Sequence, residues 1–356
     1  MLADTGTGME QFASLETYLK NQCAEADLLP AVATTVLAIA AASTKIAALV
    51  ARGRLAGEMG EACGDNSDGD VQKELDLVSN DLIIDALREA PVACLVSEEL
   101  DQPMLMHEGA PLFVATDPLD GSSNIETNAA VGTIFSIYAA TALADTSLEN
   151  VVLQSGTQQL AAGYCIYGPQ TALVLTVGAG TQVFTLDPEL DEFRLTTRNV
   201  RIAETTREFA INVSNFRHWN PNVRAYIDDC LDGETGVRKS NYNMRWIASL
   251  VAECHRILSR GGIFLYPGDD RKGYAHGRLR LVYECNAIAF LIEEAGGGAT
   301  DGRQRILDLQ PTSIHQRVPM IFGSLREIQR VERYYANQDM TAEKSQLFGK
   351  RGLFRA

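Results

Sequence analysis

Apolar residues recur at helical spacing near the start of the chain and at strand spacing further on. Met9–Ala26 reads as an amphipathic helix. Pro30 falls near the first-turn position of a second helix, where its missing N–H costs nothing. Within Ala31–Val50 the larger apolar residues Val32, Val36, Ile39, Ile46 and Val50 keep to helical spacing. This Ala-rich stretch is long enough to be weighed as a membrane span. Thr34, Thr35, Ser43, Thr44 and Lys45 interrupt it, so a buried helix is expected instead. Gly57–Gly69 is dense in Gly, Asp and Asn and carries the run Cys63-Gly-Asp-Asn-Ser-Asp-Gly-Asp70, which reads as a mobile loop. A third helix is expected to bury Val71, Leu75, Val78, Leu82 and Ala86, with Asp76 pointing away from that face. Ala93–Ser97 and Leu112–Thr116 read as short strands, and residues 130–200 are β-rich.

A second unit starts near residue 200. Asn241–Arg260 is predicted helical, with Ile247, Leu250, Val251, Cys254, Ile257 and Leu258 inward and Gly261 just past its end. A strand at Ile263–Tyr266 and a helix at Glu284–Ala295, stopped by three glycines, follow. The tail from Asn337 is polar and then basic, and is expected to be poorly ordered. The expected organisation is therefore an N-terminal α/β domain over residues 1–200, a C-terminal α/β domain over 201–335 and a tail over 336–356.

Composition narrows the classes. A chain of 356 residues, 46% hydrophobic and 22% charged, buries a core without disulfides and is not disordered. The net charge of −15 argues against general binding of nucleic acid or anionic membrane. It leaves room for a phosphate wherever a metal makes the site locally cationic. Seven cysteines, widely spaced and without a CxxC, form neither a disulfide framework nor a zinc site. A reducing, cytoplasmic location is expected, and no export signal is read near the N-terminus.

The chemistry concentrates at strand ends. Glu98-Glu99 follow one predicted strand and Asp117 another, at the carboxyl edge where open α/β sheets place their sites. Asp117-Pro118-Leu119-Asp120 sets two carboxylates and the Leu119 carbonyl around a rigid proline. This all-oxygen set suits Mg²⁺ or Mn²⁺ rather than zinc. Gly121-Ser122-Ser123-Asn124 offers backbone N–H groups and hydroxyls to a phosphate. Together these imply metal-assisted phosphoryl transfer to water. Taken singly, the parts are commonplace: a DxxD is frequent in surface turns, Asp70 is equally a helix N-cap, and Asp76 a surface charge. The five histidines show no ligand spacing, Gly178-Ala-Gly180 lacks a dinucleotide context, and neither a Walker A string nor a GxSxG elbow occurs.

The nine-residue string Asp117–Ile125, with Val96-Ser-Glu-Glu99 upstream, resembles class I fructose-1,6-bisphosphatases. The resemblance continues through Val131–Tyr138, Gly261–Pro267, Leu279–Asn286 and Pro311–Arg317, and covers roughly Ala31 to Arg333. It implies a layered α/β/α/β/α sugar-phosphatase fold of two domains, a homotetramer, and Mg²⁺-dependent release of the 1-phosphate of fructose 1,6-bisphosphate. It assigns metal binding to Glu98, Asp117, the Leu119 carbonyl, Asp120 and Glu284, and activation of water to Asp70, Asp76 and Glu99. Asp120, Gly121, Ser122 and Ser123 would meet the reacting phosphate. Asn212 would meet the distal phosphate, Tyr266 the sugar, and Arg245 a neighbouring subunit's substrate. Arg278 stands where the family carries a lysine, and Asn215 and Trp246 stand where it carries tyrosines. These departures leave a combined fructose/sedoheptulose bisphosphatase open, then an inositol-phosphate phosphatase, then a non-catalytic phosphosugar binder. Two regulatory features of relatives are not expected. No local cysteine pair supports a plastid-type disulfide switch. The adenylate phosphate contacts are replaced by apolar residues, including Leu29-Pro30 and Pro111-Leu112, with Ala139 in place of an arginine.

Overall fold

The structure is a computed structural model that describes residues 12–25, 29–56, 62–65, 71–140 and 148–336, with the backbone alone at 54, 56, 62–65 and 71–73. Helices α1 (Leu15–Glu25) and α2 (Pro30–Arg52) come first, then a two-stranded hairpin of β1 (Ala62–Asp65) and β2 (Val71–Lys73), then α3 (Glu74–Leu87). An eight-stranded sheet follows, built from β3 (Val92–Ser97), β4 (Met104–Leu105), β5 (Leu112–Asp120), β6 (Val131–Ala139), β7 (Gln159–Tyr167), β8 (Thr171–Thr176), β9 (Thr181–Asp187) and β10 (Glu192–Thr197), with a short α4 (Leu148–Val152) outside it. Its order is β10-β9-β8-β7-β6-β5-β3-β4, antiparallel except where β3 runs parallel to β5.

The second half alternates strand and helix: β11 (Glu208–Ala210), α5 (Pro221–Leu231), β12 (Asn243–Met244), α6 (Leu250–Arg260), β13 (Ile263–Tyr266), β14 (Leu279–Arg280), α7 (Asn286–Glu294), β15 (Gly298–Thr300), β16 (Arg317–Val318), β17 (Met320–Gly323) and α8 (Leu325–Ala336). Five of these strands form a sheet of order β12-β11-β13-β17-β15, and β14 pairs with β16.

Strand alternation sorts the side chains into layers, because successive residues point to opposite faces. Phe135 of β6 joins the core under α1, α2 and α3, whereas Ile134 joins the core shared with α6 and α7. In the second sheet Phe264 faces α6 and α7, while Ile263 and Leu265 face α5 and α8. The result is helices, sheet, helices, sheet, helices: the α/β/α/β/α order implied by the resemblance. Helix α2 is long and apolar enough to cross a membrane by composition. In the fold Val32, Val36, Ile39 and Ile46 are instead buried in the core beneath the eight-stranded sheet.

Four expectations need correction. The Gly57–Gly69 stretch is not all loop, since residues 62–65 pair with β2; its other residues and Asp70 lie outside the described residues, as does the tail from 337. Helix α3 starts at Glu74, so Val71 belongs to a strand, and the buried face runs through Leu75, Asp76, Ser79, Asn80, Ile83, Ile84 and Leu87. Asp76 is therefore on the buried face, at 3% exposure. The expected helix Asn241–Arg260 begins only at Leu250. Ser249 caps it by accepting the Ala252 N–H, Asn243–Met244 add a strand to β11, and Ile247 is exposed. Residues Leu281–Cys285 form a π-helical turn ahead of α7, so Glu284 leaves the helix proper.

Candidate active site

Strand β5 carries two of the expected metal carboxylates, Asp117 and Asp120, and it continues through Asp120 instead of ending at Thr116. In a regular strand, residues three apart face opposite ways. Here the register against β6 slips between Asp117 and Asp120, at Pro118, which has no N–H to give the ladder. Thr133 Oγ1 donates to the freed Pro118 carbonyl at 2.8 Å, and the Leu119 N–H donates to Asp117 Oδ1 at 2.9 Å. The slip lets both aspartates line one cleft. Gly121 then turns the chain at φ 79°, a left-handed conformation that costs glycine least, and delivers Ser122 and Ser123 to the same cleft.

Opposite Asp120 on β6 stands Gly132, where a Cβ would lie 2.8 Å from Val251. Its absence lets the N-terminus of α6 approach, and the Val251 N–H donates to Asp120 Oδ2 at 2.9 Å. From the other side, the Arg280 backbone N–H donates to Glu284 Oε2, and Arg280 Nη1 lies 3.2 Å from Glu98 Oε1. Oxygens of Asp117, Asp120 and Glu284 lie within 4.8 Å of one another.

The cleft has a volume of about 400 Å³ and gathers Asp76, Glu98, Glu99, Asp117, Leu119, Asp120, Gly121, Ser122, Ser123 and Glu284 with Asn212, Tyr266 and Arg278. Six carboxylates thus face two guanidiniums, those of Arg278 and Arg280. Burial pushes the Asp117 carboxyl well above the ordinary range, and the charges of Glu98, Asp120, Glu284 and Glu99 add to it. Burial also pushes Asp120 up to about 7 against the pull of the Val251 N–H, and raises Glu284. Buried carboxylates so close together need a compensating cation. An all-oxygen set of this kind fits a hard divalent ion. This chain therefore has a centre that suits the metal expected from the sequence, with Glu98 and the Leu119 residue beside it.

The far wall is aromatic and cationic. Trp246 lies parallel to Phe264 and Tyr266, with ring centroids 5.9 and 6.3 Å away. Past Asn212, Tyr266 and Arg278 the cleft opens into a second cavity of about 160 Å³, lined also by Asn215, Arg271 and Tyr274. Arg271 is held there by Asp269, and both Arg271 and Arg278 lie over the Tyr274 ring.

Two expected residues are not in this cleft. Asp70 lies outside the described residues. Arg245 sits on the surface with its side chain 46% exposed, its Nε 3.7 Å from Glu208 Oε1. Sequence reasoning missed Arg280, Ser249 and the N–H of Val251. Arg280 was within reach, since it stands two residues after Arg278 in the sequence. The α6 contact had no local signal, because it joins positions 131 residues apart.

Comparison with known proteins places this geometry. The family model described as "Fructose-1-6-bisphosphatase, N-terminal domain" matches residues 14–198, and "Fructose-1-6-bisphosphatase, C-terminal domain" matches 202–336. A curated protein of Sinorhizobium medicae named "Fructose-1,6-bisphosphatase class 1" is 53% identical over 97% of this chain and 99% of its own length. One from Nitrobacter hamburgensis, named "Fructose-1,6-bisphosphatase class 1 1", is 52% identical over 98% of this chain and 100% of its own length. The crystal structure of Leishmania major fructose-1,6-bisphosphatase in holo form superposes with a TM-score of 0.83 at 33% identity. It covers 92% of this chain and 99% of that one.

Proposed function

The chain belongs to the class 1 fructose-1,6-bisphosphatase family, and on that premise we propose that it hydrolyses D-fructose 1,6-bisphosphate to fructose 6-phosphate and inorganic phosphate. The observation that carries the reading is the buried triplet Asp117, Asp120 and Glu284, set directly beside the Gly121–Ser123 turn in a cleft whose far end is cationic. The triplet, with Glu98 and the Leu119 carbonyl, would hold divalent cations, Mg²⁺ first and Mn²⁺ as a substitute, which would supply charge neutralisation at the phosphoryl oxygens and a more acidic water.

The residues of the chain do the rest. Gly121, Ser122 and Ser123 orient the 1-phosphate beside Asp120. Asn212, Tyr266 and Arg278 hold the sugar and the distal phosphate, with Arg278 supplying a planar fork. Glu99, with Asp76 and Asp70, takes a proton from the attacking water as its oxygen bonds to phosphorus. The bond from phosphorus to the C1 oxygen breaks, and that oxygen leaves as the sugar hydroxyl on taking up a proton. Arg245 serves the site of a neighbouring subunit in a homotetramer, which fits its exposure and its absence from the lining of its own cleft. A cytoplasmic enzyme of two α/β domains, divided near residue 200, completes the reading.

A second substrate is favoured by one observation. Asn215 lines a cavity of about 160 Å³ past Tyr266, which would offer room for the second phosphate of a longer bisphosphate such as sedoheptulose 1,7-bisphosphate. Phosphate release from fructose 1,6-bisphosphate, sedoheptulose 1,7-bisphosphate and inositol 1-phosphate, with Mg²⁺ and with EDTA, tests both readings. Metal-dependent release from fructose 1,6-bisphosphate is expected. Release from inositol 1-phosphate alone, or from none, overturns the first reading.

A further inference from the structure

Helix α3 presents two buried polar residues one turn apart, Asp76 at 3% exposure and Asn80 at 5%. Residues four apart share a helix face. Asp76 lines the cleft, and Asn80 reaches the end of β3 instead. There the fully buried Ser97 hydroxyl donates to Asn80 Oδ1 at 2.7 Å. The same Ser97 oxygen accepts the backbone N–H of Glu99 at 3.3 Å. The neighbouring Glu98 N–H donates to the Thr116 carbonyl of β5 at 3.1 Å. The Glu98-Glu99 turn is therefore tied at one residue to the sheet and at the next, through a side chain, to the helix that carries Asp76.

We propose that the Asn80–Ser97 pair is a positioning device that sets Glu99 relative to Asp76. This rests on the function proposed above, in which those two carboxylates act on the attacking water. The physical reason is that Asp76 and Glu99 belong to different elements. Nothing in the local chain of either sets their separation. A buried hydroxyl with a strong acceptor has one low-energy orientation, so it transmits the position of α3 to the Glu99 backbone without slack. A shift of about 1 Å in a reacting geometry costs on the order of 100-fold in rate. The sugar contacts at Asn212, Tyr266 and Arg278 stand on other elements and are untouched by the pair.

The test measures kcat and KM for fructose 1,6-bisphosphate at saturating Mg²⁺ in the full chain, with thermal melting alongside. Ser97→Ala is expected to lower kcat by about 10- to 100-fold with KM changed less than about twofold, a transition-state effect. Asn80→Ala should do the same from the helix side, while Ser97→Thr, which keeps the hydroxyl, should keep most of the rate. In a Glu99→Gln background, Ser97→Ala should cost less than about twofold more, because the two then act through one group. Independent, multiplying losses for Ser97→Ala and Glu99→Gln would overturn the proposal. So would a parent-like kcat in a folded Ser97→Ala chain, or a rise in KM as large as the fall in kcat. A parent chain that releases no phosphate from this substrate overturns the underlying reading, and the inference falls with it.

Discussion

Replacing Asp117 by Asn should make the metal-free protein more stable and the enzyme inactive. Asp117 is 4% exposed, and its carboxylate lies within 4.8 Å of those of Asp120 and Glu284. At an effective dielectric constant of about 20, two unit charges at that distance repel by about 3.5 kcal/mol. The cluster relieves part of this by taking up protons, since Asp120 alone is pushed up to about 7. Removing one charge should therefore return about 1–2 kcal/mol, or a rise in Tm of roughly 1–3 °C in EDTA for a chain of this size. Lost cation binding has the opposite sign. A divalent ion at 100 times its Kd stabilises the parent by about 2.7 kcal/mol. The Asn variant should show little of that shift, and its kcat should fall on the order of 10³-fold or more. Calorimetry of both chains in EDTA and in Mg²⁺, with phosphate release measured in parallel, gives all three quantities. Turnover within about tenfold of the parent would refute the reasoning. So would an Mg²⁺ shift equal to the parent's, or a variant less stable than the parent in EDTA.

Three further outcomes are expected. Arg245→Ala should raise KM far more than it lowers kcat, and mixing it with Asp117→Asn subunits after dissociation and reassembly should restore sites with both residues intact; no recovery would place Arg245 elsewhere. Dithiothreitol should not activate the enzyme, because the six described cysteines are all free and five of them buried; a several-fold rise in rate on reduction would contradict this. AMP should not inhibit even at millimolar concentration, because α2 opens on Leu29-Pro30 with no side-chain cap and Leu112 is fully buried, so neither of these described segments offers a phosphate a cation of its own; half-inhibition at micromolar AMP would show another site.

The string Asp117–Asn124 was legible in the sequence because all its parts are adjacent. A strand, a proline that interrupts the ladder, a left-handed glycine and two hydroxyls form a site by their order alone. Helix α2 and strands β3 and β13 were legible for a similar reason, since their apolar patterns are local and Pro30 marks the start of α2. The phase of α3 was not. Val71, Leu75, Val78, Leu82 and Ala86 make a plausible apolar stripe. The true face instead buries Asp76, Ser79 and Asn80; Asp76 lines the cleft, and Asn80 accepts from the Ser97 hydroxyl. Most buried polar groups are paired, and the partner of Asn80 belongs to another segment. The same holds for Asp120, whose N–H donor comes from Val251, and for Arg280, which is brought against Glu98 by the β14–β16 pairing. The sequence by itself determined which groups are candidates for the chemistry. Only the tertiary structure decided how they face one another, because the contacts that orient them span distant stretches of chain that no local pattern encodes.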